Sequence, residues 1–257
     1  MHARRPGRGP SIGRFWDTRP KKYGQGVASD DQHTRLQPRL AQLVVADEPG
    51  SWASAGFTVS QRSVQVGHVS IALVGRSDHA DGGIVSWGFS NLELDDPDID
   101  GISTTHVGEE DRPTNHPNGI TALDHVVVMS PDGDRTASSL AAAGFDLRRV
   151  RDYVIGNRSM RQTFSWMGDV ICELVSPQES DGSGPATIWG LAFTSDDLAG
   201  SCDYLGEKCT EAKTAVQPGR RIASLRHKDL GISVPTAILS PHPREPRDRL
   251  AQVGSDS

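Results

Sequence analysis

The sequence predicts an α+β fold assembled from repeated βαβββ units. Three observations carry that reading. The stretch ALDHVVVM alternates and is β-branched, and it leads through a polar turn into an amphipathic run. Three further strand-like runs follow, so the order is strand, helix, strand, strand, strand. The same order recurs later in the chain, with closely matching ends, VICELVSP and VPTAILSP.

The middle unit, 120–177, is the clearest. After ALDHVVVM, Asp132 or Asp134 can cap a helix whose apolar side includes Ala137, Leu140 and Ala141. Gly144 stops that helix. DLRRVRDYVI, MRQTFSWMG and VICELVSP supply the three strands. The third unit, 178–241, starts with the loop QESDGSG and the strand ATIWGLAFTS. Aspartates again open the helix DDLAGSCDYLGEKC, and EAKTAVQPG, RRIASLRHK and SVPTAILSP follow as strands. The first unit, 40–95, is more divergent. RLAQLVVADEPGSWASAGFTV gives a strand and a short helix, and its ASAGF echoes AAAGF of the middle unit. SVQVGHVSIALVG and GIVSWGFSN give its remaining strands. Residues 96–119, acidic and Pro-containing, read as a linker. The short QESDGSG connection pairs units two and three, with unit one to the side.

The flanks differ in composition. Residues 1–39 are rich in Arg, Gly and Pro without hydrophobic period, so a disordered basic tail is expected there, and a second tail at 242–257. The chain has 257 residues, 35% of them hydrophobic, which suffices for a substantial core. Its net charge of -6 speaks against a nucleic-acid partner. No apolar run reaches the length of a membrane span, and no secretory signal is evident. Three cysteines without CxxC spacing indicate neither a disulfide framework nor a zinc knuckle, so a reduced, cytoplasmic protein is the simplest expectation. DPDIDG, with Asp96, Asp98, Asp100 and Gly101, opens like a calcium loop, but the twelfth position is Val107 rather than a glutamate. Nucleotide, hydrolase and protease fingerprints are missing too.

Tandem βαβββ units, with LDHVVV on a first strand and CELVSP on a last strand, resemble the vicinal oxygen chelate superfamily. That superfamily includes glyoxalase I, extradiol dioxygenases and bleomycin-resistance proteins. The resemblance implies a cupped mixed sheet around a cavity, with helices on the outer face. It also implies a divalent metal ion (Fe, Mn, Ni, Co or Zn) that grips neighbouring substrate oxygens. In that reading His125 and Glu173 are metal ligands, with Gln42 and His68 as supplements, and Glu173 doubles as the catalytic base.

Strand period two groups His125 with Val127 and Met129, and Glu173 with Ile171 and Val175. Matched to the third unit, His125 corresponds to Gly190 and Glu173 to Ala237. One unit therefore offers a ligand pair and the other does not. Arg220 and Arg221 begin a strand, so one points inward and one outward, and an inward arginine can clamp a carboxylate or phosphate. Arg161 and Trp189 complete the substrate-binding candidates.

Two functions follow from the resemblance: a metal-dependent lyase, isomerase or dioxygenase acting on a small oxygenated molecule, or a metal-free protein that binds such a ligand without catalysis. The gap at Gly190 and Ala237 favours the second. An odd number of units would leave one unmatched, which points to a homodimer in which a sister chain supplies its mate.

Overall fold

Two β-sheets carry the fold in the computed structural model, which describes residues 37–93, 97–108 and 114–243. The first contains β1 (Arg39–Val45), β2 (Val59–Ser60), β3 (Ser63–Val66), β4 (Val69–Leu73), β5 (Ile84–Ser90), β6 (Asp98–Ile99) and β7 (Ile102–His106). Helix α1 (Pro49–Ser54) follows β1. The strand order is β2-β3-β4-β1-β5-β7-β6, with β4 parallel and β5 antiparallel to β1.

The second sheet is built from 120–239. Its strands are β8 (Ile120–Met129), β9 (Leu147–Ile155), β10 (Arg158–Met167), β11 (Val170–Pro177), β12 (Thr187–Ser195), β13 (Lys213–Thr214), β14 (Arg221–Ser224) and β15 (Thr236–Leu239). Helix α2 (Gly133–Ala142) follows β8 and α3 (Leu198–Leu205) follows β12. The order is β13-β14-β15-β12-β8-β11-β10-β9. Each half pairs its first strand in parallel with its last, β8 with β11 and β12 with β15, and the halves meet at the antiparallel β8–β12 seam.

Local chemistry explains the helices. The Asp132 side chain accepts from the Arg135 amide at 3.0 Å and caps α2, and Asp197 accepts from the Gly200 amide at 3.0 Å and caps α3. Gly144, at φ 93°, turns the chain out of α2. Val126 and Val128 of β8 and Leu174 of β11 join a buried cluster on one sheet face with Leu140 of α2, while Val127 and Val175 belong to a separate cluster. The first sheet adds to the larger cluster: Trp52 meets Phe193 edge-on at 6.4 Å between centroids, and Phe89 meets Phe145 at 5.2 Å. The cup face of the second sheet lies on the other side.

Three sequence boundaries need correction. The 96–119 segment is more than a linker, because β6 and β7 form within it and extend the first sheet beside β5. Strands β5, β6 and β7 repeat the order of a later unit without its helix, so the fourth unit is truncated rather than missing. The odd count that suggested a sister chain therefore does not hold. Asp100 (φ 51°) and Gly101 (φ 84°) form the tight turn between β6 and β7, and the Arg135 Nε lies 2.6 Å from the Asp100 carboxylate. EAKTAVQPG forms only the short β13, since Pro218 and Gly219 turn the chain into β14.

The expected tails fall mostly on residues 1–36 and 244–257, outside the described residues. Arg39 opens β1 and pairs with Asp169 at 3.0 Å, and His242 packs against the cup. Asp96 also lies outside the described residues. Among the described residues, no helix is long and apolar enough to cross a membrane.

Candidate active site in the cup of the second sheet

The site starts from an irregularity in β8. The β8–β12 ladder pairs Ala192 with His125 and Phe193 with Leu123, which leaves Asp124 as an extra residue. Such a bulge suspends the alternation of a strand and re-aims side chains. Asp124 and His125, adjacent in sequence, thereby meet: His125 Nδ1 lies 2.8 Å from Asp124 Oδ1. The second Asp124 oxygen receives Arg220 Nη2 at 2.6 Å and Thr194 Oγ1 at 3.1 Å. Burial alone would raise the Asp124 carboxyl, but hydrogen bonds from His125 and Arg220 outweigh it and hold the group far below the ordinary carboxylate range. An ionised carboxylate only accepts, so Nδ1 carries the proton of this pair.

The other imidazole nitrogen, Nε2, lies 3.6 Å from Glu173 Oε2 on β11. Gln162 of β10 donates its amide to the second Glu173 oxygen. Burial pushes the Glu173 carboxyl above its ordinary value, and the nearby His125 and Gln162 only partly offset it. His125 is 3% exposed and Glu173 5%, yet both line a cavity of about 410 Å³. Phe164, Trp166, Ile222 and Leu239 give that cavity apolar walls, and Arg149 and Arg151 stand at its side on β9. The Arg149 side chain has no hydrogen bond or ion pair among the described residues, whereas Arg148 pairs with Asp146 at 2.7 Å. Tyr153, also on β9, is buried on this face, and its hydroxyl finds no hydrogen-bond partner.

Arg220 is the anchor of the opposite wall. It is 1% exposed, and besides Asp124 it donates to the Ser240 carbonyl at 2.7 Å, to Gln217 at 2.6 Å and to His242 Nε2 at 2.9 Å. Burial and the adjacent Arg220 lower the pKa of His242, which suits its role as an acceptor.

The sequence matches no protein-family model and no curated protein. Solved structures match the fold. A mutant of 4-hydroxymandelate synthase from Streptomyces coelicolor aligns with a TM-score of 0.54 and 14% identity, over 80% of this chain and 93% of its own. A halotolerant catechol dioxygenase aligns with a TM-score of 0.53 and 10% identity, over 81% and 88%. A variant of homoprotocatechuate 2,3-dioxygenase from B. fuscum aligns with a TM-score of 0.51 and 12% identity, over 82% and 74%. The chain has the vicinal oxygen chelate fold. At these identities the likeness concerns the fold, and the chemistry rests on the residues present.

The vicinal oxygen chelate fold raises the question of a metal ion, and the donor set answers it. His125 and Glu173 form one pair, as the sequence suggested. The ladders pair Val126 with Cys172 and Leu191 with Thr236, so the equivalents of His125 and Glu173 in the other half are Gly190 and Ala237. Neither offers a donor, and a Cβ at Gly190 would lie 3.0 Å from the Pro235 carbonyl oxygen, a tight contact that the Pro235 backbone would have to relieve. Gln42 occupies an equivalent place beside the β1 bulge, but in the other sheet. His68 lies in the turn between β3 and β4, also in that sheet. Among the described residues no group of three or more His, Cys, Asp or Glu is arranged to hold a metal ion. The donors present do not fit a resident metal.

The substrate-binding candidates divide. Arg220 turns inward and is committed to Asp124. Arg221 is exposed and donates to the Ala212 carbonyl at 2.6 Å. Arg161 faces away from Gln162 and pairs with Asp152 at 3.0 Å. Trp189 packs beside Val127, Tyr153 and Met160 rather than on the cavity. Arg149, Arg151, Gln162 and His242 were missed. The first two alternate with Val150 in LRRVR, and Gln162 shares a strand face with Phe164 and Trp166, so period two could have grouped them.

Proposed function

We propose that this protein binds a small oxygenated carboxylate in the cup of its second sheet, without a metal ion in the site. The carrying observation is the half-complete donor set: His125 and Glu173 have Gly190 and Ala237 as their equivalents in the other half. Apolar walls suit a hydrocarbon or aromatic body, and Arg149 supplies an uncommitted cation for the carboxylate. Calorimetric titration with phenylpyruvate in the presence of EDTA tests this reading. One-to-one binding that is indifferent to the chelator supports it. Binding that requires an added transition metal contradicts it.

The 3.6 Å approach of His125 to Glu173 is the one observation that favours a metal-dependent lyase, isomerase or dioxygenase instead. A stoichiometric transition metal in the purified protein, lost in His125→Ala, would carry that second reading.

A further inference from the structure

We propose that Asp124 and His125 make the cup a metal-free proton-transfer site, in which His125 Nε2 moves a C–H proton of a bound 2-oxo carboxylate. The inference rests on the binding reading above and adds an activity to it.

The geometry is specific. Asp124 is clamped by Arg220 and Thr194, and it holds His125 by Nδ1 at 2.8 Å. That hydrogen bond selects the tautomer whose Nε2 carries the lone pair, on the side where Glu173 lines the cavity. A carboxylate-held imidazole is a general base with fixed orientation. A core serving packing alone does not need it. The other half of the same sheet brings only an apolar cluster, Ala192, Ile222, Ala237 and Leu239, to its equivalent face. Both halves break the β8–β12 ladder, at Asp124 and at Trp189, but only on the β8 side are Asp124, His125, Glu173 and Arg220 buried together, an arrangement costly to build.

The ligand class follows from the lining. Arg149, Phe164 and Trp166 line the same cavity as His125; in the proposed pose Arg149 takes the carboxylate, the two aromatics take an apolar body, and the carbon beside the 2-oxo group comes to Nε2. The step balances. His125 Nε2 takes the proton from that carbon, so the C–H bond breaks and an N–H bond forms. The released pair becomes a C=C bond, and the carbonyl π pair moves to oxygen, which takes a proton from the Glu173 carboxyl group. The product is the enol. In the reverse direction the enol O–H returns its proton to Glu173, and the carbon takes one from Nε2. In D2O both groups have exchanged with solvent, so the carbon acquires deuterium.

The test follows the C3 methylene signal of phenylpyruvate by 1H NMR in D2O with EDTA, with calorimetric binding measured on the same samples. Wild-type protein should speed signal loss about 100-fold or more over His125→Gln, the range of a positioned general base. Asp124→Asn should slow exchange and shift its pH profile, as expected of a positioning residue acting through His125. If wild type does not bind phenylpyruvate, the binding reading falls and this proposal with it. Binding without accelerated exchange overturns the proposal alone, as does equal exchange in wild type and His125→Gln, or exchange that EDTA abolishes. If His125→Gln does not fold, the wild-type pH profile decides. A plateau reached through one ionisation supports the dyad, and a rate simply proportional to hydroxide contradicts it.

Discussion

Asp124 and His125 are consecutive residues of one strand, yet their side chains meet at 2.8 Å because a bulge in β8 suspends the alternation between them. The polar centre of the cup is built on that contact. Arg220 reaches it from β14's start and Glu173 from β11, so side chains from three separate segments depend on one irregularity.

Arg220→Met should be strongly destabilising. It leaves the Asp124 carboxylate buried without its main cation, and removing one partner of a buried pair costs about 3–5 kcal/mol. Urea denaturation at neutral pH measures it. Asp124→Asn combined with Arg220→Met should cost less than the sum of the two single changes, since the residues are in direct contact.

Glu173→Gln should alter the pH dependence of stability. The folded protein holds the Glu173 proton to higher pH than the unfolded chain, whose ordinary value is 4.5. Above that value the unfolded chain releases its proton first, so wild-type stability falls as pH rises toward the raised pKa. The glutamine variant lacks this slope. Relative to wild type it should gain in melting temperature at neutral pH and show no such gain below pH 4.5. Parallel curves from acid to neutral pH would contradict the assignment.

Asp47→Ala should loosen the docking of the two sheets. The Asp47 carboxylate accepts from Trp52 Nε1 at 3.1 Å, from Arg76 at 3.0 Å and from the Ser233 amide at 3.0 Å, across the two halves of the chain. Buried donors left without a partner cost about 1–3 kcal/mol each. The urea midpoint should fall clearly, and Asp47→Asn, which keeps one accepting oxygen, should fall less.

Gly190→Ala should cost about 1–3 kcal/mol, the usual range for an added methyl in a packed place. The new Cβ would sit 3.0 Å from the Pro235 carbonyl oxygen. Differential scanning calorimetry checks this, and a neutral result would mean that a side chain, and so a ligand, could be accommodated there.

Much of this arrangement was legible in the sequence. Hydrophobic period and caps placed β8, α2, β10, β11, β12 and α3, because those elements bury one face each and Asp132 and Asp197 start the two helices as N-caps. The matched endings correctly equated Glu173 with Ala237, as the ladders show. Other features were hidden. The bulge at Asp124 exists only relative to β12, so no single-strand pattern reveals it. Strands β6 and β7 are short and polar, and their order comes from the β5 edge rather than from local preference. His242 lies in a Pro-rich, unpatterned stretch and is held by Arg220 at 2.9 Å, with Asp124 at 3.8 Å. Gln42 and His68 carry suitable ligand chemistry in the wrong sheet, which residue type cannot disclose.

The central claim is that Asp124 fixes the His125 ring so that Nε2 serves a ligand in the cup. The most direct measurement is the 15N spectrum of the imidazole nitrogens, recorded in EDTA while phenylpyruvate is added. The His125 Nδ1 signal should stay that of a protonated nitrogen bonded to a carboxylate throughout, while the Nε2 signal shifts saturably with ligand. A protonated Nε2 with a bare Nδ1, or an Nε2 signal that responds only to an added metal ion, would contradict it.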